Sequence, residues 1–158
     1  MGFRRDTSYS ESELEQALID NLEKFILELG RGFAFVERQQ HIATDFDDFY
    51  IDLVFSNFRM KRFVIFELKT HTMRHQDIGQ LDMYVRMYDD LMKQPDDNPT
   101  IGVLLCTDTD STVAKYSVLN ESQQIFAAKY MTYMPTEDEL RREIEQQKRF
   151  FLEQHQEK

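Results

Sequence analysis

A chain of 158 residues, 41% hydrophobic and 30% charged, has the material for one ordinary domain with a real core, expected to occupy residues 1–158. It holds no run of about 18 apolar residues that could span a membrane, no apolar stretch behind the opening MGFRRDTSYSESE that would make a secretory signal, and only Cys106, so no intrachain disulfide or cysteine zinc cluster; a cytoplasmic location is expected. The net charge of −10, from 19 basic and 29 acidic residues, speaks against nucleic acid if taken alone, because phosphate contacts want a basic surface.

The elements follow in chain order. Ser10-Glu11-Ser12-Glu13 is a capping box, and Leu14, Leu18, Leu22, Phe25 and Leu29 then recur at helical spacing. Gly30 and Gly32 end that helix. FAFVERQQHI (33–42) reads as a strand, TDFDD as an acidic turn, FYIDLVF (49–55) as a second strand, SNFRMK as a hairpin turn and RFVIFELKT (62–70) as a third strand. These three are expected to form an antiparallel meander. Residues 77–92 form a second helix with Ile78, Leu81, Val85, Tyr88 and Met92 on its buried stripe, and QPDDNP stops it. TIGVLLC (100–106) is a continuous apolar run, hence a central strand beside the meander. A short polar segment follows, then QIFAAKYM as a last strand or half-strand. Thr136-Glu137-Asp138-Glu139 is another capping box and opens a charged helix running to about Gln154. The order αβββαβ, with a strand and a helix appended, gives a mixed α/β sheet with helices on its faces.

Two strands carry charges that an apolar strand should not. Glu67 and Lys69 share a face with Phe63 and Ile65, since side chains alternate along a strand. Asp52 lies between Ile51 and Leu53 and is expected to face away from both. Desolvating a charge costs several kcal/mol unless it is paired or bound. If the strands form a hairpin, Asp52 and Glu67 can come side by side, and a divalent cation would relieve their repulsion. All-oxygen ligands suit Mg²⁺ or Mn²⁺. A salt-bridged cluster at a sheet edge is the alternative. Charge is also uneven: residues 11–29 hold Glu11, Glu13, Glu15, Asp20, Glu23 and Glu28 against Lys24, whereas residues 58–76 hold Arg59, Lys61, Arg62, Lys69 and Arg74 against Glu67. A local basic patch matters more to a ligand than the total.

Asp52, followed by Glu67-Leu68-Lys69, resembles the D…(D/E)xK core of the PD-(D/E)xK nuclease superfamily, with Ile51 in place of a proline before the acid. Gln80-x-x-x-Tyr84 resembles the QxxxY element of the RecB-like branch. ELGRGFAFVERQ, DFYIDLVF, FELKT, HQDIGQLDMYV and DDNPTIGVLLC together are similar to the nuclease domain of YhcG-type bacterial proteins over roughly residues 10–145. The resemblance implies a restriction-endonuclease-like αβββαβ core over about residues 10–135. It implies that Asp52, Glu67 and the Leu68 carbonyl ligate the metal. Lys69 would orient the attacking water or stabilise the phosphorus centre, and Gln80 and Tyr84 would position the scissile phosphate or the metal waters. It further implies in-line hydrolysis of DNA to a 5′-phosphate end, a possible homodimer, and a separate N-terminal DNA-binding domain in proteins of this type. The other implied role is a non-cutting module on the same fold that binds nucleic acid or a protein partner.

Arg59, Lys61, Arg62, Arg74 and His75 are the candidates for contacting nucleic acid, His75 also as a helix cap. His71 and His75 have ligand-like spacing only if helical, and no third soft ligand is near. Glu28 is a further acid that could reach the metal side, against the plainer reading of a solvated helix glutamate. Cys106 reads as a small core residue, the acidic runs 45–48 and 89–97 as solvated turns, and the aromatic residues as core rather than a base-stacking platform.

Overall fold

Ser10 caps the first helix as its sequence dictates: its hydroxyl accepts from the Glu13 N–H at 3.2 Å while Glu13 accepts from the Ser10 N–H at 2.8 Å. A computed structural model describes residues 10–107, 114–119 and 134–156, without the side chains of residues 11, 114–119 and 156. The elements are α1 (Glu11–Glu28), β1 (Phe33–Ala43), β2 (Asp48–Asn57), β3 (Arg62–Lys69), α2 (His75–Leu91), β4 (Ile101–Thr107), β5 (Ala114–Leu119) and α3 (Glu137–Gln156). The second capping box also forms, with Thr136 and Glu139 exchanging bonds of 2.8 and 3.0 Å ahead of α3.

The five strands make one mixed sheet in the order β1-β2-β3-β4-β5. β1, β2 and β3 form the expected antiparallel meander. β4 joins β3 in parallel after the α2 crossover, with Glu67 opposite Leu104 and Lys69 opposite Cys106. β4 has a neighbour on each side and all seven of its residues are buried, as its unbroken apolar run requires. β5 pairs antiparallel with β4 at residues that the sequence reads as a polar connection. Among the described residues β5 is the outermost strand on that side, joined to the sheet through its backbone pairing with β4. The expected strand QIFAAKYM lies outside the described residues.

Two cores flank the sheet. One joins Leu14, Leu18, Ile19, Leu22 and Ile26 of α1 and Leu140 and Ile144 of α3 to Leu53, Phe55, Phe66, Val103 and Leu105. The other joins Leu81, Tyr84, Val85 and Tyr88 of α2 to Ile51, Val54, Ile65, Leu104 and Cys106. Cys106 is thus the core residue expected of it. Met92 is not on the buried stripe: it follows the last helical residue and is 42% exposed. The crossover helix sits hard on β4, because a Cβ at Gly102 would come within 2.8 Å of Val85 and 2.9 Å of Leu81. The β2–β3 hairpin is latched by buried Asn57, whose Oδ1 accepts from the Arg59 and Met60 N–H groups at 3.1 and 3.0 Å and whose Nδ2 donates to the Arg31 carbonyl at 3.3 Å. α3 is tied across by Arg31, which donates twice to Glu139 at 2.9 Å, and by buried Lys148, which donates to Thr107 Oγ1 at 3.1 Å. Among the described residues no helix is long and apolar enough to cross a membrane.

Candidate active site

The ladder between β2 and β3 runs from Asn57–Arg62 to Leu53–Phe66. The next step along each strand brings Asp52 beside Glu67. Here the pairing changes character: the Asp52 N–H donates to Glu67 Oε2 at 2.7 Å, and the Leu68 N–H donates to Asp52 Oδ2 at 2.8 Å. Each carboxylate is therefore fixed by the backbone of the opposite strand. A third bond, from Gln39 Nε2 to Asp52 Oδ1 at 3.1 Å, comes from β1.

Regular alternation breaks at Asp52. It does not simply face away from both neighbours, because Ile51 packs in the α2 core and Leu53 in the α1–α3 core. The reason lies across the ladder. Gln39, between the pairs Arg38–Leu53 and Gln40–Ile51, has a left-handed backbone with φ 53°. A non-glycine residue adopts that conformation only where surrounding contacts hold it. The Asp52 carboxyl is held between the Gln39 side-chain amide on β1 and the Leu68 N–H on β3. No apolar pattern announces such a residue.

The electrostatics follow from burial. Loss of hydration pushes the Asp52 carboxyl up to about 6, against the Leu68 N–H and the Lys69 charge, which hold it down. Glu67 is pushed well above the usual carboxylate range, first by burial and then by the Asp52 charge. Lys69 Nζ is the cation that reaches Glu67, at 3.7 Å. Two buried carboxylates against one ammonium leave negative charge that a hard cation would balance. Among the described residues no three or more His, Cys, Asp and Glu side chains gather into a metal cluster. The donor set is two carboxylates and the nearby backbone, which is what Mg²⁺ or Mn²⁺ takes when substrate phosphate and water complete the shell. The residues present fit such an ion.

Glu15 enters from α1, unnoticed in the sequence. Its Oε2 accepts from the Thr70 hydroxyl at 3.2 Å, and its charge adds to the rise at Asp52. Glu28, the acid the sequence offered, is exposed at the other end of α1, about 20 Å away at 1.5 Å per residue. From α2, Gln80 is half-buried, whereas Tyr84 is buried with its hydroxyl donating to the Tyr50 carbonyl at 3.3 Å. Burial and the charges of Glu67 and Asp52 raise the Tyr84 phenol above its ordinary value.

The basic candidates divide. Arg74 and His75 are exposed at the start of α2, at the same end of the sheet as Lys69. Arg59, Lys61 and Arg62 sit at the β2–β3 hairpin, about 16 Å from Asp52 along β2. Arg59 and Lys61 are exposed there, while Arg62 is only 4% exposed and cannot present its charge to a large ligand. The site and this hairpin are not one patch.

The sequence model of the family described as the YhcG PDDEXK nuclease domain matches residues 2–145. A curated relative from Escherichia coli (strain K12), named "Putative nuclease YhcG", is 37% identical over 136 residues, which is 86% of this chain and 36% of that protein. The chain therefore spans little more than a third of that relative's length. Among solved structures, a repair endonuclease from Pyrococcus abyssi superposes with a TM-score of 0.43 at 16% identity, covering 80% of this chain and 46% of the other.

Proposed function

The chain belongs to the YhcG PDDEXK nuclease domain family, and on that premise we infer that it hydrolyses DNA phosphodiester bonds with the help of a divalent metal ion. The observation that carries this reading is the reciprocal bonding of Asp52 and Glu67 to each other's strands beside Lys69. Asp52, Glu67 and the Leu68 carbonyl would hold the ion, and a Mg²⁺ or Mn²⁺ bound there would supply an activated water and neutralise phosphate charge. Lys69, two residues beyond Glu67, donates to the water or to the charge growing on phosphorus. Glu15 adds a third acid, through Thr70. Gln80, half-buried one helical turn from Tyr84, is assigned to position the phosphate, and Tyr84 braces β2 through the Tyr50 carbonyl, so its effect is one of positioning.

The test is cleavage of plasmid, linear, single-stranded and branched DNA, with an RNA control, in Mg²⁺ or Mn²⁺. Wild type is expected to cut and EDTA to stop it. Lys69→Ala should lose at least 100-fold, the scale of removing one preorganised donor (about 10²–10³). A folded wild type that binds Mg²⁺ by calorimetry yet cuts nothing would mark the domain as a non-cutting module.

A further inference from the structure

The β1–β2 pairing continues beyond the last β2–β3 pair on the side of the site. β2 pairs with β3 only from Leu53 onward, but it pairs with β1 back to Asp48. The projecting arm carries aromatic rings that no core uses. His41 and Tyr50 are cross-strand partners whose rings stack at 4.9 Å with an interplanar angle of 26°. Tyr50 is 53% exposed and the His41 side chain 51%. Phe46, at the tip, is 96% exposed. Phe49 and Ile51 pack toward α2, so Tyr50 between them points to the α1 side, from which Glu15 approaches Thr70 and Asp52, and away from the face that Glu67 and Lys69 share with Ile65. From Tyr50 to Asp52 is two residues, about 7 Å along the strand. That is close to the span of one nucleotide from phosphate to base.

We propose that the His41–Tyr50 stack is a base-stacking platform for an unpaired nucleotide adjoining the scissile phosphate, which makes single-stranded or frayed DNA the substrate class; this rests on the nuclease reading above. A paired base has both faces covered within the duplex, whereas an unpaired base offers a face to an aromatic ring. The charges on the arm set the orientation. Asp48 holds His41 through a 2.9 Å contact, and Asp45 and Asp47 lie beside Phe46. Three carboxylates would repel a phosphate backbone, so the arm meets the base side of a strand and cannot clamp a duplex by its phosphates. The platform is held in place relative to the metal residues, because the Tyr50 carbonyl is bound by Tyr84 and Asp52 is bound by Gln39 of the same hairpin.

The experiment measures Kd by fluorescence anisotropy at fixed salt, with Ca²⁺ replacing Mg²⁺ to prevent cutting. Probes are a labelled single-stranded deoxyoligonucleotide, its blunt duplex and the duplex with a single-stranded overhang. Wild type is expected to favour the single strand and the overhang. Tyr50→Ala should weaken both by about tenfold, the loss of one stacked base, and leave the blunt duplex unchanged. Tyr50→Phe should restore binding, and Phe46→Ala, at a tip that no core touches, should weaken only the longer single strands. No preference in wild type, no loss in Tyr50→Ala, or equal loss on all probes would overturn the platform. Calorimetric titration with Mg²⁺, wild type against Asp52→Asn, reads the metal site separately. Metal binding lost in Asp52→Asn with single-strand affinity intact in Tyr50→Ala sinks the platform and keeps the nuclease reading. Single-strand binding that depends on Tyr50 in a protein without Mg²⁺ affinity does the reverse.

Discussion

Ionising Glu67 means placing a charge where water has been excluded, with Asp52 already beside it. The linkage can be given a sign. Asp52 titrates near 3.8 when unfolded and about 6 when folded. Its contribution is full below about pH 4 and is lost as the pH rises through about 6. The metal-free protein should therefore gain stability from this pair on going from pH 7 to pH 5, by urea unfolding at each pH. Mg²⁺ should act in the opposite sense, raising Tm more at pH 8 than at pH 5, where protons compete for the same oxygens. Asp52→Asn should raise the metal-free Tm by about 2–6 °C, at about 2–4 °C per kcal/mol for a chain this size, and abolish the Mg²⁺ shift. A scanning fluorimetry series that finds Asp52→Asn less stable than wild type at pH 8 would contradict this account. Asp52, Glu67 and Lys69 were legible because charge in an apolar strand is conspicuous. Glu15 was not, since it is one acid among six on or near a solvated helix, and only folding sets it beside Thr70. Gln39 was illegible because its contribution is a backbone angle.

Helices and strands differ in how much of themselves they declare. The α1 stripe and both capping boxes are local, so they could be read directly, although Ile19 and Ile26 widen the buried face beyond the expected positions. The meander was readable from alternation and turn residues. β5 was not, because AKYSVL sits inside a stretch that reads as a polar connection and its place in the sheet is set by its pairing with β4. The α2–β4 contact depends on an absent side chain at Gly102. Gly102→Ala would push a methyl into Val85 and Leu81, and overpacking of that kind costs about 1–3 kcal/mol. Guanidinium unfolding should show the loss with an unchanged m-value. Loss of less than 0.5 kcal/mol would mean that α2 can slide outward freely.

On the scale of the molecule, the sheet divides two cores, and the site lies where strands from one meet helices from both. α3 is moored to the β1 side by Arg31 and Glu139, and the Arg31 guanidinium holds the Glu139 carboxyl below its ordinary value. A depressed acid stabilises above its unfolded pKa of about 4.5 and loses that contribution as pH falls through the folded one. Arg31→Met should then cost little, about 0.2–1 kcal/mol at pH 7 for a pair this exposed, and progressively less as the pH falls below about 4.5. The register of the parallel pair has a practical corollary. Lys69 stands opposite Cys106, which is the chain's sole cysteine and is sealed beneath α2. A thiol reagent can reach that sulfur only when the layer over it opens, so the labelling rate is a clock for local opening next to Lys69, the lysine proposed to act in catalysis. Saturating Mg²⁺ should slow that clock in the wild type and leave it running unchanged in Asp52→Asn.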